Sequence, residues 1–145
     1  MNMLKNIPKN LSPELLKILM EMGHADELII ADGNFPAASN AKNLVRCDGL
    51  GVPEILESIL KLFPTDTHAE YGFGIMQVVP GDDVEPVIWE TYKEIIAAAK
   101  AENQKIEEIE RFAFYERAKK AYAIVATSEE ALYANILLKK GVVKG

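Results

Sequence analysis

Cysteine is almost absent from this chain: Cys47 stands alone among 145 residues. A single thiol excludes an internal disulfide framework and a thiolate metal cluster, and a reducing cytoplasm is its simplest setting. Histidine is nearly as scarce. His24 and His68 are the only imidazoles. They lie far apart in the sequence and form no helical His-x-x-x-His pair, so no metal is expected. Asp82-Asp83 reads as a solvated loop rather than a metal site. Runs of basic residues are missing, and the net charge is -6, which argues against nucleic acid and anionic membrane surfaces. No apolar stretch approaches the length of a membrane span. The opening residues Met1-Asn2-Met3-Leu4-Lys5-Asn6 lack the apolar core of a signal peptide. Gly49-Leu50-Gly51 has neither the third glycine of a dinucleotide fingerprint nor the Lys-Ser/Thr of a P-loop. No Gly-x-Ser-x-Gly elbow for acyl transfer is present.

What remains is an ordinary globular composition, 49% hydrophobic and 26% charged. Its length suits one domain with a real core, taken as residues 1–145. The pattern alternates helix and strand without linkers or repeats. Ser12 caps a first helix, with Pro13 at its first position and Glu14 at its positive end. Leu15, Leu16, Leu19 and Met22 form its apolar face, and Gly23 is its natural stop. Strands are expected at Glu27 to Ala31 and Asn43 to Cys47. A second helix starts near Pro53, packs Ile55, Leu56, Ile59, Leu60 and Leu62 inward, and ends at Pro64. Gly72 to Val79 reads as a buried strand and Pro80-Gly81-Asp82-Asp83 as a loop. A third helix covers about Pro86 to Ala101, with Ile88, Tyr92, Ile95, Ile96 and Ala99 inward. Then come a short strand at Glu107 to Arg111 and a short helix from Phe114 to Lys120. The final strands, Ala121 to Ala126 and Ala134 to Lys139, bracket a turn capped by Thr127 or Ser128. This alternation predicts an α/β fold: three layers in a single domain, with helices flanking a mostly parallel or mixed sheet.

Two blocks carry the chemistry. In the first, Gly23-His24-Ala25-Asp26 precedes the strand Leu28-Ile29-Ile30, and Asp32-Gly33-Asn34-Phe35-Pro36-Ala37 follows it. Element ends of this kind normally build small-molecule sites in open α/β sheets. The second block comprises Arg111-Phe112-Ala113-Phe114-Tyr115-Glu116-Arg117 and Tyr133-Ala134-Asn135-Ile136-Leu137-Leu138-Lys139-Lys140-Gly141. Together, from Ser12 to Gly141, they resemble the fucose mutarotase / ribose pyranase family. The ribose branch usually carries His near the first run, and Leu-Pro after the first Asp. Arg111 and Asn34-Phe35-Pro36-Ala37 are therefore similar to the fucose-specific branch. Asn34 stands where some members have a second His.

The resemblance implies a cofactor-free isomerase, with L-fucose as its monosaccharide substrate. It also implies a homo-oligomer, a decamer of two pentameric rings with sites at or near subunit boundaries. Exchanging α and β anomers requires ring opening: the anomeric hydroxyl loses a proton and the ring oxygen gains one. Histidine, with a reference pKa of about 6.5, works in either direction, so His24 is the expected proton donor. Asp32, Arg111 and Asn135 suit sugar hydroxyls. Tyr115 or Tyr133 offers a second proton carrier or a flat wall. The Ala134 backbone and Asp66 are further contacts, and Met76 is an apolar wall for the 6-methyl group. Each residue also has a plainer reading. His24 then only bonds the last helix carbonyls, Asp32 shapes a turn, and Arg111 is a solvated ion-pair partner. Tyr115 and Tyr133 rim the core, Met76 fills it, Asn135 and Asp66 are loop residues, and His68 is surface. Two rival functions stand beside mutarotation of fucose: a ribose-type pyranase, and a non-catalytic sugar-binding accessory of an uptake system.

Overall fold

Helix α1 (Pro13–Glu21) begins with Ser12 Oγ accepting the Leu15 N–H at 3.1 Å and Pro13 in the first turn. These positions belong to a computed structural model that describes residues 3–145. Met1 and Asn2, the start of the stretch read above for a signal peptide, lie outside the described residues. Strand β1 (Glu27–Ala31) follows, then a one-turn helix α2 (Ala37–Asn40), β2 (Leu44–Cys47), α3 (Val52–Leu60) and β3 (Phe73–Met76). The second half runs α4 (Ile88–Ala98), β4 (Ile106–Ile109), α5 (Arg111–Lys120), β5 (Ala123–Thr127) and β6 (Ile136–Lys139).

The six strands form one sheet in the order β2-β5-β1-β6-β3-β4. β1 and β2 pair parallel with β5, and β3 pairs parallel with β4. β6 alone runs the other way, between β1 and β3. The sheet is therefore mixed, as expected, with its one reversed strand at the centre. Side chains alternate across each strand. Leu28, Ile30, Val125 and Leu138 face the core under α1, α3 and α4. Ile29, Ala31, Ile124 and Leu137 face the second core under α2 and α5. Covering both faces explains why β1 is apolar nearly throughout and produces the three layers. Among the described residues no helix is long and apolar enough to cross a membrane.

Element ends moved where local hydrogen bonding outweighed apolar spacing. Glu110 takes the N-cap of α5, accepting the N–H groups of Phe112 and Ala113 at 3.1 and 3.0 Å. The helix thus starts at Arg111 rather than Phe114, and β4 stops at Ile109. α3 ends at Leu60, so Leu62 falls beyond it and is 39% exposed. α4 is shorter than Pro86 to Ala101: Lys100, at φ 54, has already left the helix, and Ala99 is exposed. β3 ends at Met76 instead of Val79. α2 had no apolar period to announce it. Gly23 does not supply the left-handed stop of α1. Met22 caps the helix in extended geometry, and the positive φ, 72°, belongs to Ala25.

Candidate active site

Asp32, Met76, Arg111 and Asn135 each stand at one end of a strand, β1, β3, β4 and β6 respectively. Because β6 is reversed, its start lies beside the carboxyl ends of the others. Around these residues is an open cavity of about 360 Å³, also lined by Asn34, Phe35, Val79, Asp82, Tyr115, Leu132 and Tyr133. That is enough for a monosaccharide, near the lower end of the roughly 300–1,000 Å³ typical of small-molecule sites.

Asp32 is the fixed point of this cavity. Its Oδ1 accepts the N–H groups of Asn34 and Phe35 at 3.0 and 2.9 Å, and its Oδ2 that of Ala134 at 3.3 Å. Asp32 therefore does shape a turn, and it still faces the cavity. Burial raises its pKa, with the three N–H bonds pulling the other way and the Glu129 charge adding to the rise. Its own N–H donates to Asn135 Oδ1 at 2.8 Å. Both protons of Asn135 Nδ2 are left without a partner among the described residues.

Ala134 lies behind this pair. Its N–H is taken by Asp32 and its C=O accepts the hydroxyl of fully buried Tyr92, so both backbone groups have partners within the chain. Burial pushes the Tyr92 phenol far up, which keeps it a donor. Tyr92 was legible only as core; a buried phenol's need for a partner was the available signal.

Arg111 has no ion pair among the described residues. Its guanidinium carbon lies 5.6 Å from the Phe112 ring centre and 5.7 Å from that of Tyr115, one helical turn on. The ion-pair role falls to Arg117, which bonds Glu27 at 2.6 Å and Glu107 at 2.9 Å. The Tyr115 ring packs edge-on against Phe35 at 5.5 Å. Tyr133 sits in left-handed backbone, φ 56. Its hydroxyl donates to Asp82 at 2.6 Å and accepts the Val79 N–H at 3.2 Å. The hydrogen bond to Asp82 raises the Tyr133 pKa, so this phenol is a poor proton carrier near neutrality. Of the two tyrosines, Tyr115 is the freer.

His24 and Asp66 lie elsewhere. His24 precedes β1, whose five residues put about 17 Å of strand between it and Asp32. It occupies the second position of a turn closed by Asp26 N–H to Gly23 O at 3.2 Å. Asp26 Oδ2 accepts the Gly23 N–H at 2.7 Å, and Ala25 carries the positive φ that a type II turn needs at its third position. The carbonyls of Leu19 and Met22, which His24 could have bonded on the plainer reading, are taken by Lys140 Nζ at 2.7 and 2.5 Å. His24 Nε2 instead meets Asp66 Oδ1 at 3.1 Å. Asp66 is buried at the far end of β6, where its N–H donates to Lys139 O at 3.0 Å. Burial raises its pKa, but the hydrogen bonds from the His68 N–H and His24 outweigh it and hold the carboxyl low. His68, read above as surface, is exposed and yet packs its ring 5.0 Å from that of His24. One chain thus gathers Asp32, Arg111, Tyr115, Tyr133 and Asn135 at one end of the sheet, and His24 with Asp66 at the other.

The chain matches the model of the RbsD / FucU transport protein family over residues 5–143. An L-fucose mutarotase of Actinobacillus pleuropneumoniae serotype 5b (strain L20) is 50% identical over 140 residues, covering 97% of both chains. The fucose mutarotase of Homo sapiens is 48% identical over 145 residues, covering 96% of this chain and 94% of its own. Among solved structures, the fucose mutarotase of Streptococcus pneumoniae in complex with L-fucose superposes with a TM-score of 0.92 at 56% identity. That match covers 97% of this chain and 100% of the other.

Proposed function

Because the chain belongs to the RbsD / FucU transport protein family, we propose that it interconverts the α and β anomers of L-fucose by acid–base catalysed ring opening and closure. The observation that carries this reading is the convergence of Asp32, Arg111, Tyr115 and Asn135 on one monosaccharide-sized cavity. Asp32 Oδ2 and Asn135 Nδ2 offer an adjacent acceptor and donor to neighbouring sugar hydroxyls, and the Arg111 guanidinium adds charged donors. Met76 and Phe35 give the 6-methyl group an apolar wall.

In the reaction, the anomeric O–H gives up its proton and the C1–ring-oxygen bond breaks. The ring oxygen takes a proton, and the aldehyde forms. Rotation about C1–C2 followed by closure yields the other anomer. His24 is the proton donor in this reading. Asp66 accepts its Nε2–H, which leaves Nδ1 outward as the exchanging nitrogen. Tyr115 is the second carrier.

Since His24 and Asp32 lie at opposite ends of β1, the working site takes its pocket from one chain and its His24–Asp66 pair from another. The cavity is open, and its surroundings leave Phe112 67% and Leu132 54% exposed, which suits cover by a second copy. Contacts of this unlike-to-unlike kind close into rings; we assign a decamer of two pentamers. The lone, buried Cys47 thiol fits the cytoplasm.

Exchange spectroscopy by NMR tests the activity. With chelator present, the protein should speed α/β exchange of L-fucose more than that of D-ribose. Equal acceleration of both sugars removes the fucose assignment. Ligand shifts without faster exchange would make the chain a binding accessory instead.

A further inference from the structure

The fold brings the chain's two imidazoles together on one carboxylate. Asp66 Oδ1 lies 3.1 Å from His24 Nε2 and 3.5 Å from His68 Nδ1. All three atoms fall within 4.8 Å of one another. Zinc bonds to nitrogen and carboxylate oxygen run about 2.0–2.2 Å, so ligand atoms in a tetrahedral site stand roughly 3.3–3.5 Å apart. Two edges of such a site are therefore already close to length. The third, between the imidazoles, closes by small rotations of side chains that are 45% and 65% exposed, while Asp66, at 3%, is held rigidly. Two histidines and a carboxylate on an accessible face leave a fourth position for water.

We propose that His24, Asp66 and His68 form a binding site for a divalent transition-metal ion of the Zn²⁺ type, and that its occupation switches off proton transfer by His24. The inhibitory half rests on His24 being the proton donor; the binding half does not. An ion on Nε2 keeps the ring's remaining proton on Nδ1. The nitrogen that would otherwise cycle between lone pair and N–H is then fixed as a donor. The ion also displaces the Nε2–H···Asp66 bond that orients the ring. His68 is the determinant of this site. It does not line the sugar cavity, and the N–H it donates to Asp66 at 2.9 Å is backbone and survives substitution.

The test compares the wild-type assembly with His68→Ala after removal of metal. Zn²⁺ binding is read by calorimetry and by the imidazole NMR signals, and L-fucose exchange is measured on the same samples. The wild type should bind one Zn²⁺ per chain, shift the signals of both histidines, and lose exchange at saturation until chelator restores it. His68→Ala should keep its metal-free exchange. Its Zn²⁺ affinity should fall by more than the roughly 10–100-fold that outer partners of metal ligands are worth, with inhibition weakened in step. Absent or non-stoichiometric Zn²⁺ binding, or equal affinity in His68→Ala, overturns the site. Stoichiometric binding that leaves exchange intact overturns the switch. If metal-free wild-type protein shows no exchange at all, the functional reading fails, while calorimetry and the imidazole signals still decide the metal site.

Discussion

At the scale of single residues, the proton carrier and the sugar holders separate cleanly. His24→Ala should slow anomer exchange by about 10²–10⁴-fold, the usual worth of a positioned acid–base group, with a smaller change in fucose affinity. Its melting temperature should fall only modestly, through the lost hydrogen bond to Asp66, because Lys140, not His24, holds the α1 carbonyls. Asp32→Asn should weaken binding as well as rate. Its new amide group either meets the Ala134 N–H or gives up the Asn34 and Phe35 bonds. Exchange, affinity and a thermal melt on the same sample make the distinction; normal exchange in folded His24→Ala protein would pass the role to Tyr115. The two aspartates also oppose each other in pH dependence. Asp66 is depressed in the fold, so its contribution to stability is present above the unfolded value of about 4 and lost as pH falls through the folded one. Asp32 is raised, so its contribution is present below the unfolded value and lost as pH rises through the folded one. Asp66→Asn should therefore flatten the acid limb of a melting-temperature profile; an unchanged limb would place the acid sensitivity elsewhere. Asp32, Arg111, Tyr115, Tyr133 and Asn135, which the sequence singled out through two family-like blocks, line one cavity. The meeting of His24 with His68 was not legible in the sequence, since it depends on the return of β6 and the loop before β3, a contact between segments with no shared pattern.

At the scale of elements, the loop carrying Asp66 is set by close backbone packing. A β-carbon on Gly141 would lie 2.6 Å from Thr65 O and 3.0 Å from Asp66 Cα. Neither is a flexible side-chain end that could give way. Gly141→Ala should cost on the order of 1–3 kcal/mol, as overpacking generally does, and should also lower exchange by displacing Asp66. Chemical denaturation and exchange on the purified variant check both halves; a loss of stability with full activity would mean the loop shifts without moving the carboxylate. The same closeness shows which parts of the fold the sequence exposes. Long apolar periods located α1, α3 and β1, and the alternation located the three layers. The start of α5 depended on a Glu110 side chain turning back to cap it. The end of β4, and with it the placement of Arg111 on a helix, followed from that one hydrogen-bonded cap.

At the scale of the whole molecule, shared sites make a specific forecast. His24→Ala and Arg111→Ala chains should each be poorly active alone. Assembled together in equal amounts, they should recover about a quarter of wild-type exchange, since random neighbours in a ring place an intact pocket against an intact His24 at that frequency. No recovery in mixed rings would mean each chain holds its own complete site. The wild type should sediment as one large closed species, and a fully active monomer at micromolar concentration would contradict it. The central position of β6 also governs how the chain comes off the ribosome. β2, β5 and β1 form one parallel block, β3 and β4 another, and only Ile136–Lys139 joins them. Those residues are synthesised after every other strand. Until they emerge, β1 and β3 each present an unpaired edge, the kind of surface that templates aggregation. The sheet therefore cannot close before β6 has been made, and a product stopped short of β6 is not a smaller version of the protein but two open half-sheets for quality control to clear.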